Sequence, residues 1–151
     1  MTHINRTIVG TRLLLTLGLF MVGCNGAPVA KGVAKGYVAG CPATGNCISS
    51  QTTRSEQKIA PLAFTGNRAA AMEKLKAVLA KREDTKIVQE NSDYLHVEFT
   101  MKWTGLIDDG EFLLTRDAIQ LRSASRSGSS DFGKNRERIE EIRAAFSPCC
   151  K

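Results

Sequence analysis

Two acidic and two basic residues on neighbouring runs, Asp109 and Glu111 against Arg122 and Arg126, are the side chains of this sequence best spaced to do chemistry. Positions two apart share one face of a strand, so Asp109 and Glu111 point the same way. Arg116-Asp117 reads as the turn of a hairpin. With Thr115 paired to Ala118, Leu114 faces Ile119 and Phe112 faces Leu121 on one side, and Glu111 falls opposite Arg122 on the other. A carboxylate opposite a guanidinium is a natural cross-strand contact. Asp108 has the opposite parity, so Asp108 and Asp109 form no side-by-side dyad unless a bulge intervenes. Three uses fit this cluster. It is first a network of salt bridges and caps, second a binding site in which Arg122 and Arg126 meet an anionic or sugar ligand, and third an acid–base hydrolase acting through Glu111 with Asp109. The third ranks last, because neighbouring arginines depress carboxylate pKa values and spoil a general acid.

Tyr94 and His96 extend the candidate ligand-binding set. In the run 94–103, Leu95, Val97, Phe99, Met101 and Trp103 alternate with Tyr94, His96, Glu98, Thr100 and Lys102, which places the first set inward and the second outward. His96 has no second imidazole or cysteine spaced to join it, so the sequence implies neither a metal nor a cofactor. No Gly-x-Ser-x-Gly elbow supplies a nucleophile, and Ser49-Ser50 and Ser123-x-Ser125 are weak candidates. No residue is assigned a catalytic role. Trp103 completes the inner face or an exposed end of it, with a sugar-stacking platform as the lesser option.

The elements that would position these residues follow from periodicity. Asn67 or Thr65 caps a helix running to about Arg82, with Met72, Leu75, Val78 and Leu79 on one face. Strands are expected over 85–90, 94–103, 107–115 and 118–124. A second helix starts at Gly133 or Lys134, capped by Ser130 or Asp131, and runs to Phe146, burying Ile139, Ile142 and Phe146. Ile59 to Phe64 packs on the core in extended form. The fold class expected is α+β: a two-layer, four-stranded antiparallel sheet flanked by two helices in the order αββββα, with its other face half open.

The first residues speak to location. Arg6 and Arg12 lead into the apolar run Leu13 to Val22, which is too short for a span of about 20 residues, and Gly23 precedes Cys24. This is an export signal with a cysteine where a lipoprotein signal is cut. The expected organisation is a signal peptide over 1–23, lipidation at Cys24, a flexible glycine-rich tether over 24–40, one domain over 41–147 and a cysteine-containing tail over 148–151. Asn25 in place of aspartate favours the outer membrane, on the periplasmic side of the cell envelope. Losing Arg6 and Arg12 takes the formal charge from +6 to +4. The charges are mixed along the chain and no nucleic-acid-binding signature occurs, so no nucleic-acid partner is expected. Expected partners are the membrane, through the N-terminal lipid, and an anionic or sugar envelope component or another envelope protein. Four cysteines remain, Cys41, Cys47, Cys149 and Cys150, an even count that suits disulfides in an exported chain. Cys41 pairs with Cys47, or one of these joins the tail.

The same residues carry a family pattern. Cys41-Pro42 with Asn46-Cys47-Ile48-Ser49-Ser50, Asp93 to Phe99, Gly105 to Phe112, Ile119 to Gly128 and Asp131 to Glu140 together resemble the DUF1499 family, a domain of unknown function. Gly110 departs from that pattern, standing where an apolar or β-branched residue is usual, as does Met101 in place of serine. The resemblance implies a compact domain whose polar cluster is Asp109, Glu111, Arg122, Arg126 and Asn135, and it supplies no activity. With no assembled nucleophile, base and orienter, the expected function is a membrane-anchored, non-enzymatic binding or envelope-support module. The alternative is a hydrolase acting on an envelope polymer.

Overall fold

The computed structural model describes residues 31–128 and 130–147. The expected signal peptide over 1–23, Cys24, Cys149 and Cys150 lie outside them. The long elements follow their sequence patterns. Helix α1 spans Arg68–Ala80, and the Asn67 side chain caps it by accepting from the Ala70 N–H. Strands β5 (Thr85–Glu90), β6 (Tyr94–Thr100), β7 (Ile107–Leu114) and β8 (Ala118–Ser125) form an antiparallel meander, and helix α2 spans Lys134–Phe146. Both helices bury their apolar stripes against one sheet face. Met72, Leu75 and Leu79 of α1 and Ile139, Ile142 and Phe146 of α2 close over Leu95, Val97, Phe99, Phe112, Ile119 and Leu121.

The four-stranded αββββα sheet is corrected in two respects. The main sheet has six strands in the order β3-β8-β7-β6-β5, with β4 also on β8. Strand β3 (Cys47–Ser49) pairs with residues 122–124, and β4 (Leu62–Ala63) pairs with Ala118 and Ile119. At three and two residues, neither is long enough to show the alternation that betrays a strand. The second sheet is a two-stranded ribbon, β1 (Val33–Ala34) with β2 (Tyr37–Val38), inside the segment expected as a tether. Lys35 and Gly36 both have positive φ, 52° and 78°, as the tight primed turns of hairpins require. The disulfide joins Cys41 to Cys47, at the start of β3.

Trp103 is not on an inner face. Strand β6 ends at Thr100, the Gly105 N–H donates to the Met101 carbonyl to close a turn, and Trp103 stands 94% exposed in it. Gly110 marks no bulge, since both neighbouring registers are continuous through it. It makes room instead: a Cβ there would lie 2.4 Å from Cε2 of Phe99 and 2.7 Å from Cγ2 of Val97. No helix among the described residues is long and apolar enough to cross a membrane.

Candidate functional site

The hairpin register puts Glu111 opposite Arg122 and His96 opposite Glu111, and Asp109 pairs with Glu98 across β6. Alternation then delivers Tyr94, His96, Asp109, Glu111 and Arg122 to the sheet face away from the helices. That face is not half open. All five are buried, with Asp109, Glu111 and Arg122 wholly so. The ribbon supplies part of the cover: β2 lies against β7 and β8.

Two linked clusters fill the covered face. In the first, Glu111 accepts from Tyr94 Oη at 2.7 Å and from the Gly32 main-chain N–H at 2.7 Å, while its other oxygen accepts from Arg122 Nη1 at 2.8 Å. In the second, Arg126 grips Asp109 with two bonds, at 2.9 and 2.8 Å, and also reaches Glu98. His96 Nε2 lies 2.7 Å from Asp109 Oδ1, and Lys31 Nζ lies 3.4 Å from the same oxygen. The residues at the mouth of the ribbon, Lys31 and Gly32, therefore pin it to the two carboxylates.

Charge sets the protonation states. Burial alone would raise the Asp109 pKa, but the hydrogen bonds from Arg126 and His96 and the charges of Lys31 and Arg126 outweigh it and hold the carboxyl well below the usual range. Burial first, then the bond to Glu111, pushes the Tyr94 phenol well above its ordinary value. Arg126 is driven upward chiefly by its bonds to Asp109. The site is thus a set of fixed ions around a neutral phenol.

One group in this set is incompletely bonded. Arg122 Nε and Nη2 are buried and have no hydrogen-bond partner among the described residues. A buried N–H left unmade costs about 1–3 kcal/mol, so unpartnered donors on two nitrogens of one guanidinium mark a place where an acceptor belongs. Ser49 is the cross-strand partner of Arg122 on β3. It also lines a cleft of about 390 Å³ whose walls include Tyr37, Gln51, Thr52 and Arg54.

Asn135 does not join this face. It sits in the first turn of α2, on the helix side of the sheet. There its amide donates to Asp131 at 2.6 Å, Ser125 Oγ at 3.1 Å and the Asn46 carbonyl at 3.2 Å, and accepts from Ser123 Oγ and Arg138. Asp108 is on that side too, bonded to Arg138 at 2.8 Å, and the Arg138 guanidinium lies 4.6 Å from the Phe99 ring centroid. Asp131 accepts from the Gly133 and Asn135 N–H groups at the start of α2, as expected of a capping side chain. Six of the seven candidate residues thus share one face, and Asn135, which the resemblance put in the same polar cluster, lies on the other. Lys31 and Gly32 were not among the candidates, and Ser49 was considered only as a weak nucleophile. The signal available for the first two was Val-Ala-Lys-Gly-Tyr-Val, a Lys-Gly turn between short β-forming pairs. Among the described residues no group of three or more His, Cys, Asp or Glu is placed to hold a metal ion.

Comparison with known proteins adds one finding. Residues 37–146 match the family model described as "Protein of unknown function (DUF1499)". No curated protein matches the chain and no solved structure does.

Proposed function

The chain belongs to the DUF1499 family, and on that premise we propose that it is an envelope lipoprotein, held through a lipid on Cys24, that works as a non-enzymatic binding module. The observation that carries the binding reading is Arg122, wholly buried with two donor nitrogens, Nε and Nη2, unpartnered among the described residues. Its charge is already met by Glu111, so an added anion would be an uncompensated buried charge. A neutral oxygen, as in a sugar hydroxyl or an amide carbonyl, meets the two donors without that cost. The cleft beside Ser49, with an exposed Tyr37 and the polar Gln51 and Thr52, suits a glycan. Hydrolysis by Glu111 with Asp109 draws no comparable support. Each carboxylate is bonded to a guanidinium, and Asp109 is held ionised far below neutral pH, whereas a general acid must carry a proton.

The test is calorimetric titration of the protein with soluble peptidoglycan fragments, with product analysis of the same samples. Saturable binding that Tyr37→Ala weakens, with fragment length unchanged, supports the module. Shortened fragments, and loss of that shortening in a folded Glu111→Gln variant, would instead establish the hydrolase. The anchor is tested by intact mass: a chain from the membrane fraction starting at Cys24 with acyl mass supports it, and an unmodified cysteine removes it.

A further inference from the structure

The Arg122 guanidinium proposed to meet the ligand is wholly buried, so a ligand reaches it only if part of its cover moves. Its cross-strand neighbours on that face, Glu111 on β7 and Ser49 on β3, are built into the six-stranded sheet. The ribbon is not. It forms a sheet of its own and lies with β2 against β7 and β8. Through Tyr37 and Val38 it lines the same cleft as Ser49 and Gln51.

Little holds the ribbon down. Val33 is 42% and Tyr37 60% exposed, Ala34 is exposed as well, and of the strand residues Val38 alone is buried. Lys31 Nζ and the Gly32 N–H reach Asp109 and Glu111, as described. The Val38 N–H donates to Gln51 Oε1 at 2.9 Å, and Gln51 Nε2 donates back to the Gly36 carbonyl at 3.1 Å. A two-stranded ribbon by itself is marginal in water, and elements with few buried apolar contacts open well below the free energy of global unfolding. Lifting this one leaves the ion pairs beneath it assembled. Asp109 keeps both bonds from Arg126 and its contact with His96, and Glu111 keeps Tyr94 and Arg122. The trailing end stays attached, because the Cys41–Cys47 disulfide ties it to the start of β3.

We infer that the ribbon is a lid over Arg122. It swings about the Cys41–Cys47 link, lifts Lys31 and Gly32 off the two carboxylates, and so lets a ligand oxygen in. The lid rests on the binding reading for its purpose, but its opening is measurable without a ligand. Gly36, in the ribbon turn, has φ at 78°, and a Cβ added there would meet nothing within 4 Å. Gly36→Val therefore burdens the turn and strikes no neighbour. Hydrogen exchange is followed in nitrogen-15 spectra of the full chain in detergent solution. In the variant, the Gly32 and Val38 amides and the Arg122 Nε–H are expected to exchange about tenfold faster together, with the amides of β6 and β7 unchanged. An Arg122 Nε–H that keeps its wild-type rate overturns the lid. So does a rise shared equally by β6 and β7, which would make the ribbon part of the global folding unit. Soluble peptidoglycan fragments are then titrated into both proteins. Apparent affinity scales with the open fraction, so the variant is expected to bind about tenfold more tightly. Equal or weaker binding by the variant overturns the lid and leaves the binding reading standing. No binding by either protein, with exchange as expected, upholds the opening and overturns the binding reading.

Discussion

Replacing Arg122 with methionine removes the only partner, among the described residues, of one Glu111 oxygen in a place that water does not reach, since both residues are wholly buried. Glu111 keeps Tyr94 and the Gly32 N–H, but both bind its other oxygen. Breaking a buried ion pair from one side costs about 3–5 kcal/mol. Losing the unpartnered Nε and Nη2 donors of Arg122 gives some of that back, so the lower end, about 3 kcal/mol, is expected. For a domain of this size each kcal/mol moves the midpoint by about 4–8 °C, so a fall of at least about 12 °C should be seen. Urea unfolding followed by far-ultraviolet circular dichroism measures it; Trp103 is too exposed to report. The double variant Glu111→Gln with Arg122→Met removes both charges while an amide oxygen still accepts from Tyr94 and Gly32, and should recover part of the loss. A single variant that loses under about 1 kcal/mol, or a double variant no better than the single, refutes the buried pair as described.

Other outcomes follow from the same contacts. Gly110→Ala drives a methyl into Phe99 and Val97 and should cost about 1–3 kcal/mol by overpacking, read from the urea midpoint. Asp109 has a folded pKa below its unfolded value, so its contribution to stability is complete above about pH 5 and is lost as pH falls through the folded value. Acid titration should show that loss below about pH 4 in the wild type, and Asp109→Asn should lack it. Cys41→Ser opens the six-residue separation closed by the disulfide and should cost roughly 2 kcal/mol if chain entropy governs the effect. Thiol titration of the unfolded, unreduced wild type should find Cys41 and Cys47 blocked.

The sequence made legible the elements that repeat often enough to show a period. Both helices, the four long strands and the Glu111–Arg122 register follow from alternation and from the Arg116-Asp117 turn. Strand β3 was hidden, and β4 was read only as part of the extended segment Ile59 to Phe64, because three and two residues carry no alternation and only pairing with β8 makes them strands of the sheet. The ribbon was hidden because Gly-rich composition reads as tether unless the Lys35-Gly36 turn is noticed. Its absence from the expectation had a consequence. Tyr94, His96 and Arg122 were placed on a half-open face, whereas Lys31, Gly32 and β2 help close that face and turn a surface cluster into a buried one. Asn135 was grouped with the cluster by the family resemblance alone, because parity says nothing across the loop before α2. Trp103 followed its strand's alternation three residues past the point where the turn at Gly105 ends it.

The central claim is that Arg122 holds two hydrogen bonds open for a neutral ligand oxygen. Arginine-labelled protein, with the Arg122 Nε–H resonance assigned by Arg122→Lys, can be titrated with soluble peptidoglycan fragments and followed by nitrogen-15 correlation spectra. A saturable shift of that resonance is the expected result. A resonance that stays put while fragments bind elsewhere would contradict the claim.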